Sequence, residues 1–198
     1  MIKRIRRSLL TCVLLMVGVF ASTQAATALT VSPSGSLTGI SANFEWHQSS
    51  NGLVLTCSSS SFAGSLNSDG SGTIPAGGLT FTGCSSTGGL GLFTQTQNSA
   101  FAITFTLSAG SVVETVTIPP RGLQVTSNSL GCSWTWSGTF SIRLSTATLP
   151  VTFSSETLTS SVLSTDSVSG VCTIFTSVGL AVTFTGTYIL SHAITISG

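Results

Sequence analysis

Few residues in this chain are equipped for chemistry. Its acids are Glu45, Asp69, Glu114, Glu156 and Asp166, and its histidines are His47 and His192. Glycoside hydrolysis needs two carboxyls about 5–10 Å apart, one to protonate the leaving oxygen and one to act as base or nucleophile. Glu45, Glu114 and Glu156 are the candidates for such a pair, although nothing in their spacing brings them together. Glu114 stands in phase with Val112 and Val116. Either its carboxyl is partly buried with those valines, or that strand turns its other face inward. A Ser-His-Asp site needs a base beside a strained nucleophile turn, and the chain has no G-x-S-x-G. His47, beside Trp46 and Glu45, reads as a loop-edge histidine, and His192, between Ser191 and Ala193, as a solvent-facing strand residue. No residue is assigned as catalytic.

Binding chemistry has three candidates. Trp46, Trp134 and Trp136 are the tryptophans of the chain, and Trp134 and Trp136 share one strand face on which sugar rings could stack. They share it with Cys132, Phe140 and Ile142, which favours burial in a core. Asn67-Ser-Asp69-Gly-Ser-Gly72 resembles the start of a calcium loop but lacks the later acidic ligands, and reads as a hairpin turn. The only lysine is Lys3, so there is no phosphate loop. No metal or cofactor site is expected.

The elements that must position these residues are strands. Cys132, Trp134, Trp136, Gly138, Phe140, Ile142 and Leu144 alternate with Ser133, Thr135, Ser137, Thr139, Ser141 and Arg143, giving one oily and one hydroxylated face. Ile40, Ala42, Phe44 and Trp46 predict a first strand, Leu53, Leu55 and Cys57 a second. Phe62, Gly64 and Leu66 resume in the opposite phase, which predicts a bulge or turn within the serines at 58–61. Residues 101–107 and 112–118 predict a hairpin around Ser108-Ala-Gly-Ser111, ended by Pro119-Pro120. Further strands are expected at 79–83, 123–125, 149–153, 160–163, 171–175 and 182–190, with Ile194 and Ile196 closing the chain. Four aromatic-x-Gly units, ending at Gly64, Gly83, Gly138 and Gly186, predict glycines covered by rings from neighbouring strands. No window has helical periodicity after residue 25. The expected architecture is all-β, an antiparallel sandwich or partly closed barrel of about a dozen short strands.

Composition bounds the partners. Charged residues are 6% of 198, against about 25% in an ordinary domain. Lys3, Arg4, Arg6 and Arg7 crowd the N-terminus, and only Arg121 and Arg143 follow, against five acids. The body is mildly acidic, which excludes nucleic acid as a partner and argues against charge-driven membrane binding. The basic head, an apolar run over residues 8–20 and the small residues after it read as a signal peptide over residues 1–25, cleaved after Ala25 with Ala28 as the second choice. Residues 26–198 then form a single exported domain, with no stable membrane insertion after cleavage. Its four cysteines, Cys57, Cys84, Cys132 and Cys172, imply disulfides in an oxidising compartment. Of three possible pairings the sequence-local one, Cys57–Cys84 with Cys132–Cys172, suits a meandering chain. Metal binding and redox catalysis lack the CxxC spacing.

The segments LTCSSSSFAGSL, GLTFTGC, CSWTWSG, GVC and VTFTGTY resemble a pattern of small secreted β-rich proteins of actinobacteria, over roughly residues 53–190. That resemblance implies an exported, disulfide-bonded β-domain and carries over no catalytic residues. The expectation is a non-enzymatic surface or extracellular β-domain that binds a partner or builds the envelope, with cell-wall or extracellular glycan as the candidate partner. Its alternatives are a carbohydrate-binding module, a glycan hydrolase and a β-barrel pore.

Overall fold

The computed structural model describes residues 28–48, 52–87, 91–145 and 149–198, with backbone only at 145 and 159–161. The signal peptide expected over residues 1–25 lies outside the described residues. The strands are β1 Thr30–Ser32, β2 Gly35–Ser41, β3 Phe44–Gln48, β4 Val54–Leu66, β5 Ser71–Ile74, β6 Leu79–Ser86, β7 Phe93–Gln97, β8 Phe101–Ser108, β9 Ser111–Ser127, β10 Cys132–Ser145, β11 Val151–Val168 and β12 Ala181–Ser197. A 3-10 helix, Gly170–Ile174, stands between β11 and β12. All strand pairs are antiparallel.

The ladder closes on itself. It runs β2–β4–β5–β8–β9–β10–β11–β12, and β12 pairs back to β2 at Ile189–Ile40 and Leu190–Gly39. At the other end β3 joins β12 to β4, β6 follows β4, and the bridge Ser85–Leu92 links β6 to β7, which pairs with β9. The architecture is therefore a closed antiparallel barrel, in which alternate side chains point into one interior. Trp134 and Trp136, each 1% exposed, lie on the inner face with Cys132 and Ile142, as the alternation of β10 predicts.

Parity changes along the barrel explain where the periodicity misleads. In β2 the buried residues are Leu37, Gly39 and Ser41, whereas in β3 they are Phe44, Trp46 and Gln48. The single strand expected from Ile40 to Trp46 is thus two, and Ile40 points outward at 63% exposure. The phase change expected in the serines of β4 occurs between Cys57 and Ser60, but β4 neither breaks nor slips. Register is kept on both sides, as Phe44–Cys57 and Ser41–Ser60 on one and Cys57–Cys84 and Ser60–Phe81 on the other. Neighbouring strands turn over at the same level, so the register is the same before and after the change although Ser58 itself has no ladder partner. Gly83, at φ +60°, supplies the turnover in β6.

Other elements differ from expectation. Pro119 and Pro120 do not end a strand; β9 runs on through them, with a register shift against β10 between Trp136 and Gly138. Asp166 holds this irregular stretch, accepting from the Arg121 amide at 2.8 Å and from the Ser137 hydroxyl. The segments at 149–153 and 160–163 belong to one long strand, β11. Residues around Cys172 form the 3-10 helix instead of a strand. β7 was hidden because its inward residues include Gln95 and Gln97. The hairpin turn is the two-residue Ala109-Gly110, both at positive φ, between paired Ser108 and Ser111.

The expected ring-over-glycine packing holds at Gly186, which lies under Phe44. Gly64 and Gly138 instead meet the aliphatic Ile74 and Leu163, and Gly83 is exposed beside Ser58. An unforeseen instance occurs at Gly39, covered by Phe62. Outside, paired hydroxyls bridge the strands, as in Thr152–Thr195 at 2.9 Å, Thr157–Thr187 at 3.1 Å and Thr117–Thr139 at 3.2 Å. Those bridges suit a surface with little charge. The outward rows are hydroxylated and the interior is filled with rings, the reverse of the apolar exterior and polar lumen of a β-barrel pore.

The disulfides are Cys57–Cys84 and Cys132–Cys172. The first joins direct register partners on β4 and β6, and the second ties the start of β10 to the 3-10 helix. They close loops of 27 and 40 residues, each contributing about 4 kcal/mol in the chain-entropy model. Replacing Cys132 and Cys172 together by serine is expected to lower the unfolding free energy by about that amount, read from denaturant midpoints. Gly186→Ala is expected to cost about 1–3 kcal/mol, because the added Cβ would stand 2.6 Å from a Phe44 ring carbon. An unchanged midpoint would show that the Phe44 ring moves aside freely.

Candidate functional site

The interior of the barrel contains a cavity of about 80 Å³. Its wall is largely aromatic and aliphatic, with Phe44, Trp46, Phe140, Phe184 and Leu158 among its members. The rings pack edge to face or tilted, Phe140 on Phe184 at 4.7 Å and Trp46 on Phe184 at 4.9 Å between centroids. Closed β-barrels leave such a space where inward side chains from opposite strands fail to meet.

Two carboxyl groups enter this apolar space. Glu114 comes from β9, where the alternation Val112, Glu114, Val116, Ile118 places it inward at 4% exposure. Glu156 comes from β11 and is 8% exposed. They face each other across β10 closely enough to share a hydrogen bond. Tyr188, the ladder partner of Glu156 on β12, completes the polar group, and its hydroxyl is 2.5 Å from that of Ser60 on β4. Among the described residues, one oxygen of Glu114, Oε2, is buried without a hydrogen-bond partner.

Burial controls the protonation of this cluster. It lifts the Glu114 carboxyl well above the ordinary range, and the neighbouring charge and hydrogen bond of Glu156 add to that. Burial also lifts Glu156, to about 7, with the hydrogen bond from Glu114 acting in the opposite direction. The pair thus retains a shared proton at neutral pH, and its titration steps belong to both residues. Tyr188 is raised by burial, against its hydrogen bond to Ser60, with the Glu156 charge adding a smaller upward push. Among the described residues no lysine or arginine lines the cavity. Arg121 and Arg143 are exposed, and Arg143 donates to Ser111 at 3.2 Å.

The other candidates lie elsewhere. Glu45 is half-exposed and pairs with His47 at 3.1 Å, both on β3; it does not join Glu114 and Glu156. His192 is half-buried beside the Ser191 hydroxyl at 3.2 Å. Asp69 accepts from the Ser71 amide and hydroxyl in the β4–β5 hairpin, and these bonds hold its carboxyl below the usual range. Trp46 is 3% exposed and donates to Gln95 at 3.0 Å. With Trp134 and Trp136 also buried, the glycan-stacking role weighed for these three has no open ring face to work with. Gln95 and Gln97 are buried polar residues that periodicity missed. Gln97 accepts from the Leu79 amide at 2.7 Å and donates to the carbonyls of Ile74 and Ser99, bonding across the sparsely paired wall near β6 and β7.

The arrangement does not suit glycoside hydrolysis. The inverting and retaining mechanisms need room for a sugar, and for inversion a water, between their carboxyls. Here the two groups share a hydrogen bond, and the space beside them is smaller than one sugar ring requires. The arrangement offers an apolar wall with one proton-holding spot.

Both carboxyls bind protons more tightly in the folded chain than in the unfolded one. Their contribution is therefore fully present below the unfolded value near 4.5 and is lost as pH rises through about 7. The melting temperature is expected to fall between pH 5 and pH 8, with roughly 3 kcal/mol lost through Glu156 alone. Glu156→Gln is expected to flatten that slope in thermal melts. A melting temperature that rises with pH would show that the pair is ionised and compensated.

No family model, curated protein or solved structure matches this chain.

Proposed function

We propose that this chain is an exported, non-enzymatic β-barrel domain that acts by binding a small molecule inside the barrel. The observation that carries this reading is the apolar cavity inside the barrel with its single polar cluster at Glu114, Glu156 and Tyr188. Binding sites are characteristically concave and apolar with a few convergent polar groups. The volume sets the scale of the ligand. At about 80 Å³ the cavity is about half the size of one that holds benzene, so the occupant has only a few heavy atoms.

Export is supported by the basic and apolar N-terminal sequence and by the two disulfides, which persist in oxidising compartments. The hydroxylated exterior suits an extracellular or cell-surface setting. A non-enzymatic role is supported by the enclosure of the paired acids and by the separation of His47 and His192 from any nucleophile turn.

Xenon tests the cavity, since it enters apolar cavities without needing a polar partner. In methyl NMR spectra under xenon pressure, Val116, Leu158 and Leu190 are expected to shift together, and Val116→Phe, which fills the space, is expected to abolish the response. Absence of any xenon response in the unsubstituted protein would end the internal-binding reading. A glycan panel that shifts tryptophan emission or releases reducing sugar would favour the carbohydrate-binding or hydrolase alternative in its place.

A further inference from the structure

We infer that the interior site takes a small alkylammonium cation, whose charge is met by the facing carboxyls of Glu114 and Glu156 and whose alkyl groups pack on the aromatic wall. This deepens the internal-binding reading and rests on it. Three features of the cavity converge on that ligand.

The first is a missing counter-charge. Two carboxyls face each other inside an apolar barrel, and among the described residues no basic side chain lines the space with them. Chains that bury carboxylates ordinarily pair them with arginine or lysine, because an uncompensated buried charge is strongly destabilising. The second is Glu114 Oε2, a buried oxygen that, apart from the proton shared with Glu156, meets no donor among the described residues. An ammonium N–H supplies the donor that this oxygen lacks. The third is the wall. Phe44, Trp46, Phe140, Phe184 and Tyr188 turn aromatic rings to the same space, and aromatic faces attract alkylammonium groups through the ring quadrupole.

Metal cations fit less well. Calcium takes six to eight oxygens, and the polar cluster offers two carboxyls and the hydroxyls of Tyr188 and Ser60 in a wall of carbon. A neutral apolar guest would leave Glu114 Oε2 unpaired. The cavity volume limits the ammonium to a few heavy atoms, as in methylammonium, which is smaller than benzene.

Binding exchanges cation for proton. With both carboxyls protonated, an ammonium enters, one proton leaves to solvent, and the pair becomes one acid and one carboxylate around the cation. Among the described residues Tyr188 is the only other titratable group lining the cavity. It stays neutral, because burial raises it. Affinity therefore rises with pH until Glu156 is ionised.

The test compares methylammonium with methanol, its neutral isostere, by calorimetry on the purified protein at pH 8 and pH 5.5. The ammonium is expected to bind about 30-fold more tightly at pH 8, the factor that release of one proton by a group titrating near 7 would give. Methanol is expected to show no such dependence. Glu156→Gln and Glu114→Gln are each expected to weaken the ammonium at least tenfold, while the xenon response of Val116 and Leu158 persists and reports a folded, intact cavity. If xenon enters but methylammonium binds no better than methanol at pH 8, the ammonium assignment fails and the internal-binding reading stands. If calcium chloride competes with or replaces the ammonium in the unsubstituted protein, the ligand class is overturned. If neither xenon nor ammonium enters, both readings fall.

Discussion

Pairing of β12 with β2 closes the hydrogen-bond ladder, and the rest of the structure follows from that closure. An open sheet has two faces, each of which can meet solvent. A closed one has an inside and an outside, and the period-two alternation of every strand must be read against a single enclosed volume. Closure removes free edges, which a chain with so few charges has little means of protecting otherwise. It also fixes the use of the hydroxyl residues. Serine and threonine occupy outward rows and bond to one another across the strands, leaving the interior to rings and branched chains.

Keeping the interior apolar over the full length of long strands requires the parity to be reset. β4 shows how this is done without a shift of register. The inward series Leu55, Cys57 becomes Ser60, Phe62, and β2/β3 and β6 turn over beside it. On β9 the same result is reached by a bulge around Pro119, Pro120 and Arg121, held by Asp166. The disulfides then tie the end of the barrel where β6 and β7 are joined by a single bridge. Gln97 makes hydrogen bonds there that the ladder does not provide.

An interior closed in this way makes the Glu114–Glu156 pair costly as two charges and tolerable as a shared proton. Among the described residues no basic side chain lines the space, so burial governs both groups. Tyr188 and Ser60 satisfy each other instead of the carboxyls. The polar cluster is thereby left with spare acceptor capacity in a space bounded by aromatic rings. That excess acceptor capacity distinguishes this cluster from the buried glutamines of β7, whose bonds to Trp46 and to nearby backbone are explained by structure alone.

The strand-rich character, the inward face of Cys132–Leu144, the hairpin at Ala109-Gly110 and the cysteine pairing were legible in the amino-acid sequence, because each depends on local alternation or short chain separation. The position of Glu114 in phase with two valines was legible too, though not its meaning. Inward polar residues such as Gln95 and Gln97 concealed β7, since periodicity read from hydrophobicity cannot register a buried amide whose partners are distant in the chain. Aromatic-x-Gly spacing could mark glycines under load at Gly186 but could not tell a ring from Ile74 or Leu163 as the covering group. Local sequence determined which residues alternate. Only the closed tertiary structure decided which parity faces inward, and so brought Glu114, Glu156 and Tyr188, separated by tens of residues along the chain, into one enclosed space.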